Sequence, residues 1–337
     1  MSKDLVHSQV DRQNILNNSY AIEQIQKELP LTGYLWQAEI VFTIDSVSNI
    51  FDVDTRTIQR IIEANRDELA QNGFRILSGD TLSAFRESGY KISPLIRNLS
   101  LFTIRSVLDI AMLLTTSERA KEIRQKILDI TMNVLQSRTN GNTQFINQRD
   151  PNFLEISYQN ETGRKNFTNA LNSYVDMGSY KYEFFTNKVY QCIFLEKAKE
   201  YQRVLRLSTR TKLRDTMYTE VLLCITAVER GAAYELEKKY KELNRKLTKE
   251  EASLVIQSLS EHPSTKTFIE QARTKMASRD LSFRDAEHKK LQNYITSVDP
   301  DDFERFLGNK SKSLEQQIRE HRAIFLRLKD KKNEEYA

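Results

Sequence analysis

Cysteine is nearly missing from this sequence. Its 337 residues contain only Cys192 and Cys224, with no CxxC pair and no His at ligand spacing. A disulfide framework and a structural zinc site are therefore not expected. Breakers are scarce too: nine Gly and five Pro favour long helices over a loop-rich β fold. No apolar run approaches the roughly 18 residues of a membrane span. The opening MSKDLVHSQVDRQN has no apolar stretch of the kind a secretory signal needs. These absences lead to the expectation of a cytoplasmic protein with no membrane association, metal or cofactor.

What is present is ordinary in amount and uneven in placement. The chain is 29% charged and 39% hydrophobic, as folded domains are. Residues 1–135 hold 15 Lys and Arg against 17 Asp and Glu, a balance of −2, and the other 36 and 29 of the chain's 51 and 46 give the rest +7. DNA-binding domains draw much of their affinity from phosphate neutralisation, so the acidic first part counts against DNA binding there.

The expected fold is mainly α, with a small β element in a first domain at 1–136, a connector at 137–152 and an all-α second domain at 153–337. In the first part, a short amphipathic helix is predicted at 19–29. GYLWQAEIVF (33–42) reads as a turn and a short strand. Helices at 43–51 and 55–71 follow, then a strand FRIL (74–77), a helix at 80–87 and a strand SLF (100–102). FTIRSVLDIAMLL (102–114) is nearly continuous apolar sequence. Ala120, Ile123, Ile127, Ile130 and Val134 then recur at helical steps behind Ser117, a plausible N-cap. SRTNGNTQFINQRDPN (137–152) is polar and aperiodic. Beyond it helices are predicted near 161–175, 183–206, 210–246, 248–260, 264–276, 282–297, 300–307 and 311–331, with no internal repeat.

The most specific signal is FTIDSVSNIFDVDTRTIQRIIEANRDEL (42–69). A helix-turn-helix needs a first helix with an apolar inner face, a tight turn and a capped second helix. Ile44, Val47 and Ile50–Phe51 supply the face, Asp52-Val53-Asp54 the turn, and Asp54 or Thr55 the cap. Ile58, Ile61 and Ile62 bury the second helix and leave Thr55, Arg56, Thr57, Gln59 and Arg60 near its outward end. Arg pairs bidentately with guanine, Gln with adenine, and Thr reaches phosphate. A helical hairpin used only for packing is the alternative.

With the strand pair after it and the helix AKEIR (120–124), where Ala120, Lys121, Ile123 and Arg124 fit an Ala-Lys-x-Phe/Ile-Arg phrase, residues 42–135 resemble the N-terminal DNA-binding module of phage antirepressors and RhuM-like virulence proteins. The resemblance covers about a third of the chain. It implies a winged-type helix-turn-helix, double-stranded DNA as partner, a prophage or mobile-element setting, and a regulatory or phage-defence role. A homodimer or higher oligomer would let two heads read half-sites a helical turn apart.

In the second part, Lys275, Arg279, Asp280, Arg284, Asp285 and His288 crowd together. If a helix starts near Ser282, Asp285 and His288 lie one turn apart. A carboxylate holding an imidazole with Arg nearby would make a catalytic general-base site of Arg279, Asp280, Arg284, Asp285 and His288. Glu229-Arg230, charged inside an apolar helix, could supply a partner. Ion pairs on a helix surface explain the same residues. There is no phosphate loop, GxSxG or HExxH, and the His-x-Phe-x-Asp/Glu-Gly-Asn run of Fic/Doc-type toxins is absent.

Three lesser features complete the reading. Arg203, Arg206, Arg210, Lys212 and Arg214 form a basic stretch that would meet phosphate or merely be solvated. The aromatics of 174–194 read as core. Leu314, Ile318, His321, Phe325 and Leu328 form a coiled-coil or docking stripe. Three functions compete: a DNA-binding regulator, an effector or toxin with a DNA-reading head and a C-terminal enzyme, and a non-catalytic interaction protein.

Overall fold

The computed structural model describes residues 4–29, 31–90, 92–324 and 326–327. The chain is mainly helical, with one small antiparallel sheet. No helix among the described residues is long and apolar enough to cross a membrane. Two compact units divide it, Met1–Ser137 and Arg138–Ala337.

The first unit runs α1 (Gln9–Asn17), α2 (Ser19–Glu28), β1 (Tyr34–Trp36), β2 (Glu39–Thr43), α3 (Ile44–Phe51), α4 (Thr55–Ala64) and α5 (Arg66–Gln71). It continues with β3 (Arg75–Ser78), α6 (Gly79–Glu87), β4 (Asn98–Thr103), α7 (Ile104–Leu113) and α8 (Glu118–Arg138). The strands lie in the order β1-β2-β4-β3. One sheet face (Trp36, Val41, Leu77, Leu99, Leu101) packs on Leu82 and Phe85 of α6. On the opposite face, Phe42 and Phe102 join the main core with Val47, Phe51, Ile58, Val107, Ile110 and Ile127.

The central strands hold a repeat that the sequence hides. FTIDSV at 42–47 and FTIRSV at 102–107 are one phrase in two places but for Asp45 against Arg105. Phe42 pairs directly with Phe102 across antiparallel strands, so a local two-fold relates the copies. Each strand runs straight into a helix. Thr43 and Thr103 are the N-caps, at φ −86° and −87°, and accept from the backbone N–H of Ser46 and Ser106. A β-branched residue suits the strand end and its hydroxyl suits the cap, so one Thr does both jobs. The expectation of no internal repeat is corrected here. Only five residues of six match, and the turns after the two helices differ in length.

Close approach fixes the next joint. Gly73 has φ +95°, and a Cβ there would lie 2.5 Å from the Thr103 side chain, whose Oγ1 donates to the Asn72 carbonyl at 2.7 Å. Only glycine fits this conformation and this gap.

The second unit contains α9 (Phe153–Tyr174), α10 (Lys181–Phe194), α11 (Ala198–Val204), α12 (Thr219–Leu243), α13 (Lys249–Glu261), α14 (Pro263–Arg284), α15 (Pro300–Leu307) and α16 (Leu314–Glu320). The long helices α9 and α12 form its spine. Gly163 permits their approach, because a Cβ there would lie 2.9 Å from Thr226 Cγ2.

Several predicted boundaries move. The single helix expected at 55–71 breaks at Asn65, and the one at 183–206 breaks at Leu195, which takes a left-handed conformation (φ +59°). The helix expected from 210 starts at Thr219. Residues 138–152, read as a connector, are built into the second unit, with Ile146, Asn147 and Asp150 buried. On α16 the buried side chain is Gln317, which donates to the Asp150 carbonyl at 2.8 Å, while Leu314 is exposed. Of the proposed stripe, Phe325 and Leu328 lie outside the described residues. The dense aromatics at 174–194 do enter the core through Phe185, Tyr190 and Phe194, although Tyr180 is exposed.

A buried charge cluster ties α1, α5 and α7 together. Arg12 donates from Nε and Nη2 to both oxygens of Glu68, each at 2.7 Å. Asp109 Oδ1 lies 3.6 Å from the same guanidinium, and Asn72 donates to Asp109 Oδ2 at 2.9 Å. Two buried carboxyls thus share one guanidinium. Burial first, and then the charge of Glu68, push the Asp109 carboxyl up to about 7 against Asn72 and Arg12. Folded Asp109 therefore keeps a proton that the unfolded chain has released, and stability falls as pH rises from about 4 to about 7. Asp109→Asn should flatten this loss. Calorimetric melting of both proteins across that window checks it, and parallel pH profiles would contradict it.

Candidate functional site

The α3–α4 hairpin is closed by local chemistry. Asp52 takes a left-handed conformation (φ +52°) as the α3 C-cap. The Val53 N–H returns to the Ser48 carbonyl at 3.0 Å, a six-to-one closure of the Schellman kind. Val53 packs against the core. Asp54 rather than Thr55 caps α4, accepting from the Arg56 N–H at 2.7 Å. Ser117 fastens the hairpin from behind. Its Oγ donates to the Phe51 carbonyl at 2.6 Å and accepts from the Ala120 N–H at 3.0 Å, which makes it the α8 N-cap.

Ile58 is the buried residue of α4, with Ile61 and Ile62 half-buried against the core. Arg56, Gln59 and Arg60 are exposed, and Thr55 and Thr57 half-buried. No side-chain hydrogen bond or ion pair engages Arg56, Gln59 or Arg60 among the described residues. Helix α8 differs in this respect. Its first turns pair their own charges, Lys121 with Glu118 at 3.2 Å and Arg119 with Glu122 at 3.3 Å. Glu63 and Asp67 are also exposed, further along α4 and on α5.

The second-unit cluster is arranged differently from the expected site. No helix begins near Ser282; α14 runs through it to Arg284, and Asp285 is its left-handed C-cap (φ +51°), exposed and turned from the role of holding His288. His288 follows in non-helical chain and is fully buried. Its Nε2 meets Asp280 Oδ2 at 2.8 Å, and its Nδ1 meets Glu196 Oε2 at 3.1 Å. Tyr201 stacks on the imidazole at 5.3 Å and donates to Asp280 at 3.2 Å. Arg284 lies 3.2 Å from Asp280 Oδ1.

A second array runs beside it. Arg279 joins Asp302 and Glu220, Lys275 reaches Asp302 at 2.6 Å, and Arg305 binds Glu220 and Asp150. The Tyr218 ring links the two, with Arg284 4.7 Å and Arg279 5.0 Å from its centre. Glu229 belongs to neither array. Arg164 and Arg214 hold it, with Arg164 Nη1 at 3.1 Å and Arg214 Nη1 at 3.0 Å.

The structure therefore brings Asp280, Arg284 and His288 together, seats Arg279 in the adjoining array and leaves Asp285 outside. Sequence reasoning missed Glu196, Tyr201, Tyr218, Glu220, Asp302 and Arg305. They come from three other stretches of chain, 196–201, 218–220 and 302–305, far from 279–288 in sequence. Burial would push the His288 imidazole down, but its bonds to Asp280 and Glu196 outweigh burial and hold it up at about 9. Protonated at neutral pH and engaged at both nitrogens, it has no lone pair to offer as a general base. This geometry favours an ion-paired core.

A raised histidine contributes stability that is complete below its unfolded value of 6.5 and is lost as pH rises through about 9. His288→Gln should remove that alkaline loss, on the order of 3 kcal/mol. Denaturant melts at pH 6.5 and pH 10 measure the difference, and an equal alkaline loss in the variant would contradict the assignment.

No known family model matches the chain, and no curated protein or solved structure matches it.

Proposed function

We propose that this protein is a sequence-reading binder of double-stranded DNA and that α4 is its reading helix. One observation carries the reading. Arg56, Gln59 and Arg60 stand exposed and unpaired near the start of a capped second helix, while the first turns of α8 spend their charges on each other. Donors kept free at the start of a capped helix fit a helix that meets base edges in a major groove. The β1–β2 hairpin, turned at Gln37–Ala38 with both φ positive, then serves as a wing. The resemblance to phage antirepressors and RhuM-like proteins supports a regulatory or phage-defence role, in a prophage or mobile-element setting. A homodimer would present two such helices to paired half-sites.

Selection from a random duplex pool should enrich a sequence, and mobility-shift titration on it gives the test. Each lost Arg–guanine pair costs about 1–3 kcal/mol, so Arg56→Ala and Arg60→Ala should each weaken binding by roughly 5- to 150-fold. No enriched sequence, or undiminished binding by both variants, would remove α4 from this role.

A further inference from the structure

The first unit, at −2 overall, is poorly supplied with the positive charge that duplex binding draws on. The second unit carries +7, and one segment of it concentrates cations without acids. Residues 201–214 read YQRVLRLSTRTKLR: five cations and no carboxylate. Arg214 turns inward to Glu229 and Asn160. Arg203, Arg206, Arg210 and Lys212 are exposed, and none has an ion pair among the described residues.

Several exposed cations elsewhere in the unit are paired. Lys239 pairs with Glu242, Lys241 with Glu237, Arg245 with Glu251, Lys290 with Glu200 and Lys312 with Glu320. The loop is also a formed structure. α11 ends with Arg206 in a left-handed conformation (φ +53°), and the Leu207 N–H returns to the Gln202 carbonyl at 2.9 Å. A turn follows, with the Thr211 N–H bonded to the Ser208 carbonyl at 3.1 Å. Gln202 and Gln144 donate to Thr211 from beneath, and Leu213 is buried. Exposed like charges close together in the chain repel one another, and a polyanion would relieve that repulsion.

We infer that the loop from Arg203 to Lys212 is a second nucleic-acid contact, one that grips the phosphate backbone without regard to sequence. The four cations are spread along the loop and none is buried, which suits a run of phosphodiesters better than a single phosphate. Its exposed side chains are Arg203, Arg206, Ser208, Thr209, Arg210 and Lys212. None is an apolar anchor of the kind a bilayer surface needs. The inference shares with the proposed function its class of ligand and does not depend on α4.

The test uses the full chain and a 30-base-pair duplex of arbitrary sequence, with affinity measured by fluorescence anisotropy from about 50 to 200 mM salt. Replacing Arg206, Arg210 and Lys212 together by Ser should lower the slope of log affinity against log salt by about 2 to 3, near 0.9 for each lost phosphate contact. A variant with Lys in place of Arg206 and Arg210 keeps the charge and should keep the slope, which separates lost charge from lost folding. If Arg56→Ala/Arg60→Ala matches wild type on every duplex while the Ser variant still loses slope, the α4 reading fails and the loop stands. A Ser variant with the wild-type slope overturns the loop. So does a slope lost equally in the Lys variant, and so does salt-dependent binding to phosphatidylserine vesicles with none to duplex.

Discussion

The antiparallel pairing of Phe42 with Phe102 is the constraint on which the first unit depends. It sets the two central strands in register, and each strand hands its last residue, a threonine, to a helix as its cap. Strand and helix thus meet at a fixed angle twice, about one local axis. From that base α3 and α7 place their inner faces in one core, and the helices after them, α4 and α8, take their positions from capped turns. An exposed helix is useful for reading DNA only if its base is rigid. Here the rigidity comes from buried aromatics, two hydroxyl caps and the Ser117 bond to the end of α3.

The second unit solves another problem. Its helices bring many charges inside, and a buried charge is tolerated only when it is paired and hydrogen-bonded. The Glu196–His288–Asp280–Arg284 array and the Asp302–Arg279–Glu220–Arg305–Asp150 array pair their charges around Tyr218. Removing one partner from such an array strands the others, so the arrays specify how α12, α14 and α15 associate. Several cations outside the arrays find acids on the surface, whereas those of the loop from Arg203 to Lys212 and of the start of α4 have none among the described residues.

Much of the fold was legible in the sequence because it is written locally. The helix at 300–307 follows from Pro300 and its acidic first turn, and the α3–α4 hairpin from its apolar spacing, turn and cap. The rest is written at long range. Leu195 ends a helix without glycine, so no breaker announced that end. The FTIxSV pair became a repeat only when the strands showed Phe42 facing Phe102. Around His288 the spacing pointed to Asp285, yet the chain leaves the helix at that residue, and the true partners lie at 280 and 196. A charge inside an apolar helix needs a partner, and at Glu229 the partners are Arg164 and Arg214, not the cluster around His288.

The central claim is that the start of α4 lies against bases. A photo-crosslinking side chain at position 59, compared with one at position 122 on α8, tests it most directly. Both sites are exposed and stand five residues beyond their caps, Asp54 and Ser117. Irradiation with bound duplex should link DNA to position 59 and leave position 122 free. Equal linkage at both sites, or linkage at 122 alone, would contradict the account.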